Sequence, residues 1–280
     1  MKVRLGYVPC PGMSIRLLLA ASMLLAGAAL AEHIQVARPI RAGGAAIRVE
    51  LPADSLLLRA SGTAPECTGS NGVTVPCRVE MKYFGGSVIS NVKVYAVLWD
   101  ATVSAELAQG IGDFYRAFTS SEFFDWLTEY SSTRVVEAGR NAGQAGPGQV
   151  IGRGTFAGTI RLPSLSTTYA ACSNAPTLIC INDASITTEL QWQVAHGVLP
   201  LPDANTLYVL HLPKTVRVND ARSGLGVSCK DYCAYHSTGQ RAGQTFTYAV
   251  IPDLGSDGCD RGCGGGTVFE NTCAASSHEI

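Results

Sequence analysis

The chain has 280 residues, ten cysteines and a formal net charge of −1. So even a balance offers no basic surface to nucleic acid or to an anionic membrane, which excludes both as partners. With 46% apolar residues the chain has a core to bury, which excludes a disordered polymer.

The first 31 residues predict a secretory signal. Lys2, Arg4 and Arg16 precede any acidic residue, and residues 17–31 are apolar or small throughout. Ala29-Leu30-Ala31 makes a small-x-small site, so cleavage is expected before Glu32, with Met13 as an alternative start. The apolar run is short for a bilayer span and no later run reaches spanning length, so no stable membrane insertion is expected after cleavage. The 249 residues beyond it carry a net charge of −4 and nine cysteines. In an exported chain these predict disulfides rather than metal ligands.

Residues 32–77 lack sustained periodicity and are expected to form a loose N-terminal segment before a globular domain over 78–280. Gly85-Gly86 marks a turn, and the nearly continuous apolar run 92–99 predicts an interior strand. Ser104 opens a helix with Leu107, Ile111, Phe114, Tyr115 and Phe118 on one face, and a second helix is expected over 121–130. Residues 139–161 are glycine-punctuated and predict an extended arm or hairpin ending at 156–160. Residues 163–182 read as a Pro/Ser/Thr loop. Asp183 or Ser185 then caps a helix carrying Ile186, Leu190 and Val194, with Gly197 past its end. Strands follow at 206–212 and 246–251, and a helix runs from about 268 to the end. Strands alternating with helices predict one α/β or α+β domain, a mixed twisted sheet flanked by helices.

Cys67 and Cys77 flank a short turn, as do Cys172 and Cys180, and each pair is expected to close. Cys229/Cys233 and Cys259/Cys263 share a C-x3-C spacing that permits closure within each pair or cross-pairing between them. The odd total leaves one cysteine free or with its partner missing. A zinc ribbon requires C-x2-C pairs in a reducing compartment and fits neither condition.

No G-x-S-x-G elbow, P-loop or dinucleotide fingerprint occurs. Ser277-His278-Glu279-Ile280 is the opening of a zincin pattern. His278 supplies a neutral imidazole to zinc, and Glu279 faces the metal-bound water as general base. A second ligand at i+4 shares the helix face but falls at position 282, past the last residue. His236, between the two C-x3-C elements, is the second candidate ligand, whereas His196 and His211 read as packed or surface residues. The zincin reading expects His278 and Glu279 to face one concave, partly polar opening.

Several motifs recur together and in order. They are 83–90 (Tyr-Phe-Gly-Gly-Ser-Val-Ile-Ser), the strand ending at Trp99, 125–130 (Asp-Trp-Leu-Thr-Glu-Tyr), 151–154 (Ile-Gly-Arg-Gly) and 203–208 (Asp-Ala-Asn-Thr-Leu-Tyr). Then come 233–237 (Cys-Ala-Tyr-His-Ser), 248–253 (Tyr-Ala-Val-Ile-Pro-Asp) and Ser277-His278-Glu279. Through these motifs the chain resembles the Exordium / phosphate-induced-protein-1-like family and its bacterial secreted relatives. The resemblance implies that the last motif continues as S-H-E-x-x-E, so the zincin-like helix is expected to be cut short here. A form lacking one ligand is expected to bind zinc weakly and to have no hydrolytic activity. Two functions fit these readings. One is a secreted zinc-dependent, peptidase-like hydrolase using His278, His236 and Glu279. The other is a non-catalytic extracellular protein that binds cell-wall polysaccharide or another protein.

Overall fold

A run of Val, Ala, Leu and Tyr with no polar alternation suits a strand covered on both faces, and two such strands organise this fold. They belong to a computed structural model that describes residues 82–220, 226–241 and 243–280. It also gives the backbone of two short paired strands, β1 (Glu66–Thr68) and β2 (Thr74–Pro76). The expected signal peptide, its cleavage site and the Cys67–Cys77 bridge lie outside the described residues.

The two central strands are β3 (Lys93–Leu98) and β7 (Thr206–His211). They pair in parallel from Lys93 opposite Thr206 to Leu98 opposite His211, and every residue of β7 is buried. β4 (Thr155–Arg161) lies outside β3, and β11 (Gln244–Ile251) outside β7, both parallel to their neighbours. β10 (Tyr235–Arg241) closes the sheet antiparallel to β11, giving the order β10-β11-β7-β3-β4. A second sheet is formed by β5 (Ala171–Cys172), β6 (Ala175–Ile181), β8 (Val216–Asp220) and β9 (Gly226–Val227). The fold is therefore the expected mixed α/β domain.

Helices cover both faces of the five-stranded sheet. α1 (Ala105–Thr119) starts at Ser104, whose side chain accepts from the Leu107 amide, and buries Leu107, Ile111, Phe114, Tyr115 and Phe118. α5 (Val268–Glu279) begins with a reciprocal capping box between Thr267 and Glu270 and packs beside α1. Gly110 makes that approach possible, because a Cβ there would sit 2.7 Å from Phe269 Cζ. Strand alternation puts α3 (Asp183–Ala195) on the opposite face. Its Thr187 meets Tyr248, which is in register with Tyr208, whereas Tyr115 of α1 meets His211, three residues on.

Several boundaries differ from the sequence expectation. The second helix is shorter, α2 (Phe123–Leu127) followed by a 3-10 turn at Thr128–Tyr130. Asn182, rather than Asp183 or Ser185, caps α3, accepting from the Ser185 amide at 2.8 Å. The stretch 163–182 is not all loop. It contains β5 and β6, and β6 finds its parallel partner in β8, a contact with no local signature.

Cysteine pairing is settled where it is described. Cys172–Cys180 closes as expected, and the C-x3-C elements cross-pair as Cys229–Cys259 and Cys233–Cys263. The reason is helical: Cys259 and Cys263 span α4 (Cys259–Gly262) and its cap one turn apart, so both sulfurs leave the same side. Cys273 is disulfide-bonded as well. None of the described cysteines is free. No helix among the described residues is long and apolar enough to cross a membrane.

Many residues of the ordered sequence motifs are structural ties. Arg153 grips Asp125 through Nε at 2.8 Å and a second nitrogen at 2.5 Å, the bidentate geometry that favours arginine. Asn205 Oδ1 accepts from the amides of Ser90 and Asn91, and Lys93 pairs with Asp203. Together these fasten the start of β3 to the turn before β7.

Candidate functional site

The last turn of α5 comes out beside β10, at one side of the sheet. A residue on β10 faces α5 only if it has the opposite parity from Tyr235, which points to the α3 side and donates to Asp183 at 2.7 Å. His236 has that parity. Its Nδ1 lies 2.8 Å from Glu279 Oε2, the imidazole donating and the carboxylate accepting.

The two partners differ sharply in exposure. The Glu279 side chain is 7% exposed and the His236 side chain 62% exposed. A sheltered carboxylate therefore holds one nitrogen of an imidazole whose remaining ring faces solvent. The hydrogen bond to Glu279 raises the His236 pKa above its ordinary value, partial burial opposes this, and the carboxylate charge adds to the rise. His278 is exposed on the same turn. Of the residues read as site candidates, the fold brings His236 and Glu279 together.

Behind this pair is a polar chain with no sequence signature. Tyr115 donates to Ser276 Oγ at 3.0 Å and lies 2.8 Å from His211 Nε2, and all three residues are fully buried. With Tyr115 donating to Ser276, the His211 Nε2 proton points at the tyrosine oxygen. His211 Nδ1 is then a buried acceptor with no hydrogen-bond partner. Burial pushes the His211 pKa down to about 3. On the other face, Asp183 Oδ1 accepts from both Tyr235 and Tyr248 at 2.7 Å, a second buried arrangement that residue spacing could not reveal.

The described residues do not make a three-ligand zinc site. No group of three or more His, Cys, Asp or Glu among them is disposed to hold a metal. His236 and Glu279 already satisfy one another, which leaves His278 as a single exposed imidazole. A recess of about 530 Å³ lies elsewhere and shares no residue with this pair. Neither the protein-family models nor the curated proteins compared with this chain give a match.

Proposed function

We propose that the chain is an exported, disulfide-stapled, peptidase-like hydrolase whose reaction centre lies where the end of α5 meets β10. The observation that carries this reading is the 2.8 Å contact between exposed His236 and sheltered Glu279. A carboxylate that fixes the Nδ1 proton of an imidazole leaves Nε2 as a base directed outward, with its basicity raised by the partner's charge. Such a pair can take a proton from water attacking a carbonyl and return it to the leaving amine.

Peptide is the substrate class that the surroundings favour. β10 ends the sheet order, so its outer edge has no strand partner among the described residues. An extended peptide can add to such an edge through main-chain hydrogen bonds, which would lay its carbonyls beside His236. Proton transfer needs no third ligand, so the expectation of an inert chain gives way to a direct assay of this one. The three bridges, and the absence of a long apolar helix among the described residues, support an oxidising, extracellular setting. The Exordium-like ancestry belongs to the same proposal and rests on the ordered motifs.

The test is cleavage of an extended peptide library by secreted protein, followed by mass spectrometry, with bound metal measured in parallel. Glu279→Gln should lower turnover by about 10²–10³-fold while edge binding of the peptides persists. The rate should rise with pH through a midpoint above the ordinary imidazole value, since only neutral His236 accepts a proton. Full turnover by Glu279→Gln, or no peptide cleaved by the wild-type chain, refutes the reading. Sequencing the N-terminus of the secreted product tests export, with Glu32 expected as its first residue.

A further inference from the structure

Where parallel strands end, their loops diverge and leave a crevice, and ligands of open α/β sheets sit at these carboxyl ends. In this molecule such a recess opens past the end of β3, lined by Trp99, Asp100, Ile179 and the loop residues 165–169. Its volume of about 530 Å³ lies within the range of small-ligand sites.

The walls of this recess are fixed by buried chemistry. Glu189 of α3 is fully buried and has no cationic partner among its hydrogen bonds. It accepts from the Ser166 amide at 3.0 Å, the Ser166 hydroxyl at 2.6 Å, the Tyr169 hydroxyl at 2.8 Å and Gln193 Nε2 at 2.7 Å. Gln193 also donates to the Ser164 carbonyl at 2.7 Å. Burying a carboxylate without a cation is unfavourable unless hydrogen bonds satisfy it, and here all but the one from Gln193 hold a single loop. The Cys172–Cys180 bridge clamps the adjoining β5–β6 hairpin, which supplies Ile179. A wall fixed this firmly loses little freedom when a ligand arrives.

The lining defines the ligand chemistry. It contains no Lys, Arg or His, and Asp100 is its one charged residue. Asp100 Oδ1 accepts from the Thr102 amide at 2.7 Å and hydroxyl at 2.6 Å. Among the described residues no hydrogen bond engages its Oδ2, which leaves that oxygen for a ligand donor. Thr167 and Thr168 are exposed and add hydroxyls, and the half-buried Tyr169 ring, backed at 5.6 Å by the buried Trp99 ring, gives an aromatic wall. Arg161, outside the lining, donates to the Asp100 carbonyl at 2.6 Å; the lining itself offers one carboxylate and no cation, which disfavours phosphates and carboxylates. Hydroxyl donors beside an aromatic wall favour a neutral sugar.

We infer that this recess is a binding site for a neutral carbohydrate, one or two sugar units of an extracellular polysaccharide. It is independent of the His236–Glu279 pair and does not require turnover. Titration of the Glu279→Gln chain with cellotetraose, xylotetraose and chitotetraose, followed by tryptophan fluorescence and calorimetry, tests it. At least one sugar should bind saturably. Asp100→Asn, which keeps the Thr102 contacts, should weaken that sugar at least fivefold. Thr168→Trp, which fills the recess from an exposed position, should abolish it, with unchanged circular dichroism in both variants. No saturable binding of any of the three sugars overturns the inference. Binding that both variants retain at wild-type strength overturns it too, by placing the sugar elsewhere.

Discussion

His211 makes this protein sensitive to acid in a way that can be calculated. Its imidazole is fully buried, Nδ1 has no partner, and burial pushes its pKa down to about 3. In the unfolded chain the same group titrates near the ordinary value of about 6.5. The folded value is the lower one, so the native state binds fewer protons wherever the pH lies between the two. Stability from this group is therefore full above about pH 7.5 and falls as the pH drops from about 6.5 toward 3. Each unit in that window is worth about 1.4 kcal/mol, giving a loss of about 2 kcal/mol at pH 5 and about 3 kcal/mol at pH 4. Urea unfolding of the oxidised protein at pH 7.5 and pH 5, on wild type and His211→Gln, isolates this contribution, because other titrating groups cancel in the difference. Glutamine can still meet the Tyr115 hydroxyl but cannot take up a proton. Its stability should change with pH by about 2 kcal/mol less than wild type over this interval. Equal pH dependence in the two proteins would mean that His211 is already protonated, or solvated, in the native state.

Non-reducing peptide mapping should recover Cys229 linked to Cys259 and Cys233 linked to Cys263, and replacing all four by serine should destabilise the fold by more than the roughly 3–4 kcal/mol of a single such bridge. That figure follows from closing a loop with a sequence separation of 30 residues, and intact folding of the quadruple variant at wild-type stability would refute it. Gly110→Ala should lower stability by about 1–2 kcal/mol, because the overlap with Phe269 outweighs the roughly 1 kcal/mol of helix propensity that alanine contributes. Phe269→Leu in the same chain should recover part of that loss in thermal melts, and additive effects would refute the contact.

The sequence disclosed elements whose signal is local and strong. Uniform apolarity marked β3 and β7, and the Ser104 cap with a stripe of large apolar residues marked α1. β10 escaped notice because its residues, Tyr-His-Ser-Thr-Gly-Gln-Arg, read as polar loop; it is a sheet edge, where one side meets water. β6 and β8 escaped because each is stabilised by the other across intervening α3 and β7, a pairing with no local signal. At the site, His236 and Glu279 were each legible as reactive types, 43 residues apart, but their contact depends on strand parity and on where α5 ends. The Glu189 network was invisible for a simpler reason: one glutamate in a helix looks solvated until the loop above it is known.

The parallel pairing of β3 with β7 also constrains how the molecule can come into being. Lys93 must wait for Thr206, and β11 must follow before β7 has its other neighbour. Tyr115 meets Ser276 across 161 residues. At about 5–20 residues per second, synthesis from β3 to the end of β7 takes on the order of 5–25 s. Through that interval the most apolar strand of the domain has no partner on the β7 side. Of the three described bridges, only Cys172–Cys180 spans a short, local loop; the crossed pair waits for residues 259–263. High contact order of this kind folds slowly, so the five-stranded sheet stays incomplete until most of the chain exists. That is the condition in which a polypeptide can be threaded through a narrow channel, and it leaves the crossed bridges to form only after the thread is complete.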